Sequence, residues 1–266
     1  MLRLPTSRGQ GTLLALLCCA LLAMVTPVSA VPMTQQYQQL LTSANSLAAM
    51  SLLYFDLDPR PGGAALKVEQ QALQQAAQQL QHQAEQLGLM GAGVQGMLGH
   101  LDSLQRLAPR DTAGYPTPLV GMLDEYQRLR QQILALQQQR EIPVAAVNMN
   151  QQSQRIAQLR LHALARNARL LEHHSLISDS AFIQLDEEIE AGFVLVAGLL
   201  PADSAPQLGR QLQAYRFVRP KLLEPDTLRH SSAVERYINP LLQWLDQQAV
   251  VAEQDPVDAL KVSRGG

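Results

Sequence analysis

Apolar residues recur at steps of three and four along most of this chain after its first thirty residues. That spacing gathers them on one face of an α-helix. Leu66, Leu73, Leu80 and Leu87 repeat every seventh position, with Ala76, Ala77 and Ala84 between them and glutamines outside. The runs Leu119-Met122-Tyr126-Leu129-Ile133-Leu136, Phe182-Leu185-Ile189-Phe193-Val196-Leu200 and Val234-Ile238-Leu241-Leu245-Ala249 follow the same rule. A stripe of this period needs a partner helix along its whole length, which is the packing of a helical bundle.

Punctuation between the stripes sets the boundaries. Thr117-Pro118 reads as an N-cap followed by proline at the first helical position, where the missing N–H costs nothing. Asn239-Pro240 reads the same way and predicts a break or kink near the start of the last helix. Asp58-Pro59-Arg60-Pro61-Gly62-Gly63 predicts a turn, Ser178-Asp179-Ser180 a cap, and Glu224-Pro225-Asp226 a separation of the last two helices. The pattern predicts eight helices, over 34–56, 65–88, 91–108, 118–140, 144–173, 179–200, 206–223 and 227–252. The expected fold class is all-α, with two four-helix-bundle-like repeats, 31–142 and 143–254, that meet at Pro143. The similar layout of the two halves suggests a duplication, and 255–266 reads as a flexible tail.

The first thirty residues follow a different rule. Arg3 and Arg8 precede an apolar run from Leu13 to Val25, and Val28-Ser29-Ala30 supplies the small residues of a cleavage site. These are the three parts of a secretory signal peptide, cleaved near Ala30, and they predict a periplasmic protein. The apolar run falls short of the roughly 20 residues that span a bilayer. Cys18 and Cys19 lie inside it. A lipoprotein modified at either is the alternative, although Leu17 and Cys18 are not the small residues such a signal carries before the modified cysteine. The processed chain would begin at Val31 without cysteine, hence without a disulfide or a thiolate nucleophile. No later apolar run is long enough to span a membrane, so the processed protein is expected to be soluble.

Composition narrows the function classes. The 266 residues carry a formal charge of −2, with 47% hydrophobic and only 4% aromatic positions. A near-neutral chain lacks the basic excess of a nucleic-acid binder. The 34 glutamines, with abundant Leu and Ala, favour helix over sheet. There is no phosphate loop, nucleophile elbow or paired-histidine zinc motif. The glycines between Gly88 and Gly99 read as a turn feeding a closely packed helix, since neither a strand nor a Lys-Ser/Thr ending accompanies them. His173-His174 reads as a solvated helix end, because adjacent helical residues point about 100° apart and cannot close on one metal. Asp186, Glu187, Glu188 and Glu190 read as carboxylates favoured by a helix N-terminus. No catalytic residue, metal ligand or cofactor is therefore expected.

The fifth helix carries the candidate chemistry. Arg155, Arg160, Arg166 and Arg169 lie on it with no acid until Glu172, beside two apolar stripes that imply burial on a broad face. Its arginines must meet either acids of the sixth helix or an anion from outside. Arg155 and Arg166 share a face, and with Gln154 they form the candidate ligand-binding set, for a small anionic or carboxylate ligand.

The segment Asn148-Met149-Asn150-Gln151-Gln152-Ser153-Gln154-Arg155-Ile156-Ala157-Gln158-Leu159 resembles the S-Q-R-I-A segment of PilJ-like sensor domains. These are the helical periplasmic domains of type IV pili methyl-accepting chemotaxis transducers, with relatives in nitrate/nitrite sensor kinases. Leu185-Asp186-Glu187-Glu188-Ile189 and Tyr215-Arg216-Phe217 stand where that family has its later features. Ser43-Ala44-Asn45-Ser46 and Asp58-Pro59 suggest a more diverged copy in the first half. The family motif has a further arginine five positions before the one matching Arg155, and Asn150 stands there. The resemblance therefore carries over Arg155 as a position and not the anion ligand. It implies a soluble sensory or ligand-binding module acting with a membrane receptor or another envelope partner. The alternative is a structural or adaptor protein that binds other proteins through its helix faces.

Overall fold

A computed structural model describes residues 33–55, 64–107, 113–140, 142–168, 170, 179–224 and 231–254. The expected signal sequence with Cys18 and Cys19, the predicted turn at 58–63, Arg169, His173-His174, Pro225-Asp226 and the predicted tail 255–266 lie outside these residues. The described residues are helical almost throughout and contain no strand. The helices are α1 Met33–Tyr54, α2 Ala64–Leu87, α3 Ala92–Arg106, α4 Pro116–Gln138, α5 Val144–Asn167, α6 Asp179–Leu199, α7 Ala205–Leu223 and α8 Ser231–Gln254. A short 3₁₀ turn, Ala202–Ser204, precedes α7.

The predicted stripes are the buried faces. Leu73, Ala76, Leu80 and Ala84 of α2 lie in the core, as do Leu119, Met122, Tyr126, Leu129 and Ile133 of α4. Phe182, Ile189, Phe193 and Val196 of α6 and Val234, Ile238, Leu241 and Leu245 of α8 do the same. The glutamines on the opposite face of α2 are exposed. Helix α2 stops at Gly88, whose φ of 65° belongs to the left-handed region that glycine enters without strain. Leu89 N–H then reaches Ala84 O at 2.8 Å and Gly88 N–H reaches Glu85 O at 3.1 Å, the paired bonds of a Schellman end.

Three boundaries differ from the sequence expectation. Helix α4 begins at Pro116 rather than at a Thr117 cap, because Pro116 itself occupies the first turn and Tyr115 is anchored edge-on against Phe55 at 5.3 Å. Helix α5 ends at Asn167, six residues early. Helix α8 continues through Pro240 without the expected break. Proline withholds an N–H there, but buried residues on both sides, Val234 and Ile238 before it and Leu241 and Leu245 after it, hold the segment against the core.

The two sets of four helices share one pattern of neighbours. Within 33–138, α1 lies against α2, α3 and α4, while α2 meets α3 and α3 meets α4. Within 144–254, α5 takes the place of α1 and contacts α6, α7 and α8, while α6 meets α7 and α7 meets α8. The sets join where α1 packs on α5 and α8. That seam holds the candidate site.

Candidate ligand-binding cavity

Helices α1, α5 and α8 each bring polar residues to the seam at helical spacing. Thr34, Gln38, Thr42 and Asn45 follow one another by four, four and three residues along α1. Asn150, Ser153 and Arg160 stand three and seven residues apart along α5, and Asp246 and Glu253 seven apart along α8. Gln38, Thr42 and Asn45 of α1, Ser153, Gln154 and Arg160 of α5 and Asp246 of α8 line a partly open cavity of about 200 Å³, with Tyr126 of α4 closing one wall. Taking liquid water at roughly 30 Å³ per molecule, that volume suits a small organic molecule.

Asp246 dominates one side of the cavity. Its Oδ1 accepts hydrogen bonds from Ser153 Oγ at 2.7 Å and from Gln38 Nε2 at 2.9 Å, and its Oδ2 accepts from Thr42 Oγ1 at 3.5 Å. All three donors are neutral. Among the described residues no Lys, Arg or His forms an ion pair with this carboxylate. Burial pushes its pKa up to about 6, against the lowering effect of the three hydrogen bonds.

Arg160 lines the same cavity two turns further along α5 and is only 4% exposed. Its Nη1 lies 3.5 Å from Asn45 Oδ1. The Asn45 amide in turn donates to Ala157 O at 3.2 Å and to the Tyr126 hydroxyl at 3.3 Å. Gln154, 3% exposed, donates through Nε2 to Gln38 Oε1 at 3.3 Å, while its own Oε1 receives no hydrogen bond from the protein. A buried amide oxygen without a donor is costly and marks a place where a donor is wanted.

The predicted site residues separate. Gln154 is in the cavity. Arg155 is on the outer side of α5, where its Nε meets Glu188 Oε2 of α6 at 3.3 Å. Arg166 holds the end of α7, donating to the carbonyls of Leu222, Leu223 and Glu224, each at 2.9 Å, with its guanidinium 4.3 Å from the Phe182 ring. The structure therefore does not bring Arg155 and Arg166 together. Within the S-Q-R-I-A segment, Ser153, Gln154 and Ala157 line the cavity and Ile156 is core.

The acids of α6 are tethers between helices. Asp186 is buried and accepts from Tyr215 Oη at 2.8 Å and Arg219 Nε at 2.7 Å. Burial raises its pKa, but the Arg219 and Tyr215 hydrogen bonds outweigh that and leave it lowered. Glu190 pairs with Arg216 at 2.9 Å. Close by, Gln152 Nε2 donates to Ile189 O at 2.8 Å, its amide pressed into the notch at Gly192. A Cβ at Gly192 would lie 1.9 Å from Gln152 Oε1. His162 is buried with its ring edge-on to Phe182 at 5.9 Å.

Among the described residues no group of three His, Cys, Asp or Glu is placed to hold a metal ion, and no helix is long and apolar enough to cross a membrane. No protein family, curated relative or solved structure matches this chain.

Proposed function

We propose that this protein is an exported ligand-binding module that takes a small amino-acid-like zwitterion between α1, α5 and α8. The observation that carries this reading is Asp246, a carboxylate in a cavity wall that is surrounded by neutral donors and, among the described residues, paired with no cation. A ligand ammonium group there supplies the missing positive charge. Arg160, along the same cavity, offers a guanidinium for a carboxylate, and Gln154 Oε1 offers an acceptor for a further donor. The function is binding, without a catalytic step.

The cavity's position supports a sensory role. Its walls come from both four-helix sets, so a bound molecule contacts α1 on one side and α5 and α8 on the other. A ligand that fits one relative placement of the sets better than another shifts the population toward it, and a membrane receptor or envelope partner can read that displacement. The three-part N-terminal sequence supports delivery to the periplasm with cleavage near Ala30.

A thermal-shift screen over amino acids, amines and organic acids tests the binding. Zwitterions should raise the melting temperature with the logarithm of their concentration, because only the folded chain binds them. Asp246→Asn should remove the response. A flat screen on the wild type would overturn the reading. Periplasmic extracts should contain a chain beginning at Val31 by mass spectrometry; an intact Met1 in the cytoplasm would refute export, and a lipid on Cys18 or Cys19 would replace it with a tethered form.

The adaptor alternative has one observation in its favour. Ile183, Val194 and Leu195 of α6 are 61%, 74% and 56% exposed, a larger apolar display than a solvated helix needs.

A further inference from the structure

The cavity does not end at Asp246. A second, half-open chamber of about 400 Å³ adjoins it between the N-terminal part of α1 and the C-terminal part of α8, with Gln39, Gln247 and Val251 exposed at its rim, and Gln38, Gln243 and Asp246 line both. Among the described residues its lining includes amides, a hydroxyl, two carboxylates and aliphatic carbons but no Lys, Arg or His. It ends at Glu253, seven residues and two helical turns after Asp246, or about 10 Å along the axis at 1.5 Å per residue.

Two groups in this chamber are left wanting donors. Glu253 Oε1 accepts from Thr34 Oγ1 at 2.9 Å, but its Oε2 is buried and receives no hydrogen bond from the protein. Asn150, 3% exposed, lines the same wall, and its Oδ1 likewise receives none. Both orphans are acceptors. Together with Asp246 they make an elongated space with two carboxylates, spare acceptors and, among the described residues, no resident cation, beside a first cavity that contains Arg160. Reading from Arg160 through Asp246 to Glu253, the sequence of charge is positive, negative, negative.

We infer that the ligand is a basic α-amino acid, bound with its carboxylate toward Arg160, its α-ammonium at Asp246 and its side-chain cation in the second chamber against Glu253. This rests on the zwitterion reading above and adds the second positive group. Asparagine and glutamine carbonyls along the second chamber satisfy the N–H groups of that cation, as charged donors in a partly buried site require. The aliphatic stem lies against Ala249 and Val250.

Isothermal titration of the full processed chain with lysine, norleucine and cadaverine tests this. Norleucine keeps the zwitterion and chain length without the terminal charge, and cadaverine keeps both amines without the carboxylate. Lysine should bind at least ten-fold tighter than norleucine. Glu253→Gln, which preserves the acceptor for Thr34, should cancel that preference while leaving norleucine affinity unchanged. Equal binding of lysine and norleucine would overturn the inference and leave the zwitterion reading standing. Lysine preference that survives in Glu253→Gln would also overturn it. Cadaverine binding as tightly as lysine, with dependence on Glu253, would support the second cation site and refute the role given to Arg160. Binding by none of the three would overturn the inference, and the zwitterion reading falls with it only where the wider thermal-shift screen is also flat.

Discussion

Replacing Asp246 by Asn should stabilise the protein at neutral pH while abolishing ligand binding. The side chain is nearly isosteric, and its hydrogen bonds can be kept. Asn Oδ1 accepts from Ser153 and Gln38 as the carboxylate does, and Asn Nδ2 donates to Thr42 Oγ1, whose hydroxyl can rotate to accept. What changes is the charge. The Asp246 pKa is raised from 3.8 to about 6, chiefly by burial. At about 1.4 kcal/mol per pH unit, this is roughly 3 kcal/mol of destabilisation when the group is fully ionised. Below about pH 3 the carboxyl is protonated in both folded and unfolded chains, so nothing is lost. Between about pH 4 and 6 the unfolded chain ionises while the folded chain keeps its proton, and stability falls. Above about pH 6 the loss is complete. Asp186 has the opposite sign, since its lowered pKa gives stability above its unfolded value that is lost as pH falls. Only the difference between wild type and variant isolates Asp246. Melting both by circular dichroism at pH 3, 5, 6 and 7.5 should give the smallest difference at pH 3. By pH 7.5 a gap of up to about 3 kcal/mol should have opened in favour of Asn, on the order of 6–10 °C for a chain of this size. A variant less stable than wild type at pH 7.5, or a difference that does not change with pH, would refute the reasoning.

Other perturbations follow from the packing. Gly192→Ala should lower stability by about 1–3 kcal/mol in a urea titration, because the new methyl group meets the Gln152 amide at the α5–α6 contact; Gly198→Ala, where a Cβ meets nothing within 4 Å, should not. Arg166→Lys should cost about 2–4 kcal/mol, since one ammonium cannot reproduce the guanidinium fork to three carbonyls at the end of α7. A cost under 0.5 kcal/mol would show that those bonds contribute little. Phe193→Asp should abolish cooperative melting by placing an unpaired charge against Tyr215, whose ring lies 5.6 Å away, whereas Gln78→Glu on the exposed face of α2 should leave it intact.

The amino-acid sequence by itself determined the all-α class and the placement of the eight helices. Hydrophobic period is a local property, and a stripe such as Phe182-Ile189-Phe193-Val196 must be buried whatever covers it. Local chemistry also set the end of α2 at Gly88. It did not set the course of α8, because the burial of residues on either side of Pro240 overrides the proline's preference for a break. The cavity was largely hidden for a related reason. Thr34, Gln38, Thr42 and Asn45 on α1, and Asp246 and Glu253 on α8, have the spacing of one helix face, but polar residues at that spacing look alike whether they face water or another polar stripe. The available signal was that Ser153 and Gln154 interrupt the apolar stripes of a helix expected to be broadly buried, and of the predicted ligand residues Gln154 is the one that lines the cavity. Arginine destinations were equally undetermined. Arg155, Arg160 and Arg166 are the same residue on one helix, yet one reaches Glu188, one lines the cavity and one holds the α7 carbonyls. A long side chain takes the partner that packing brings within reach, and the arrangement of α6, α7 and α1 around α5 is a property of the folded chain alone.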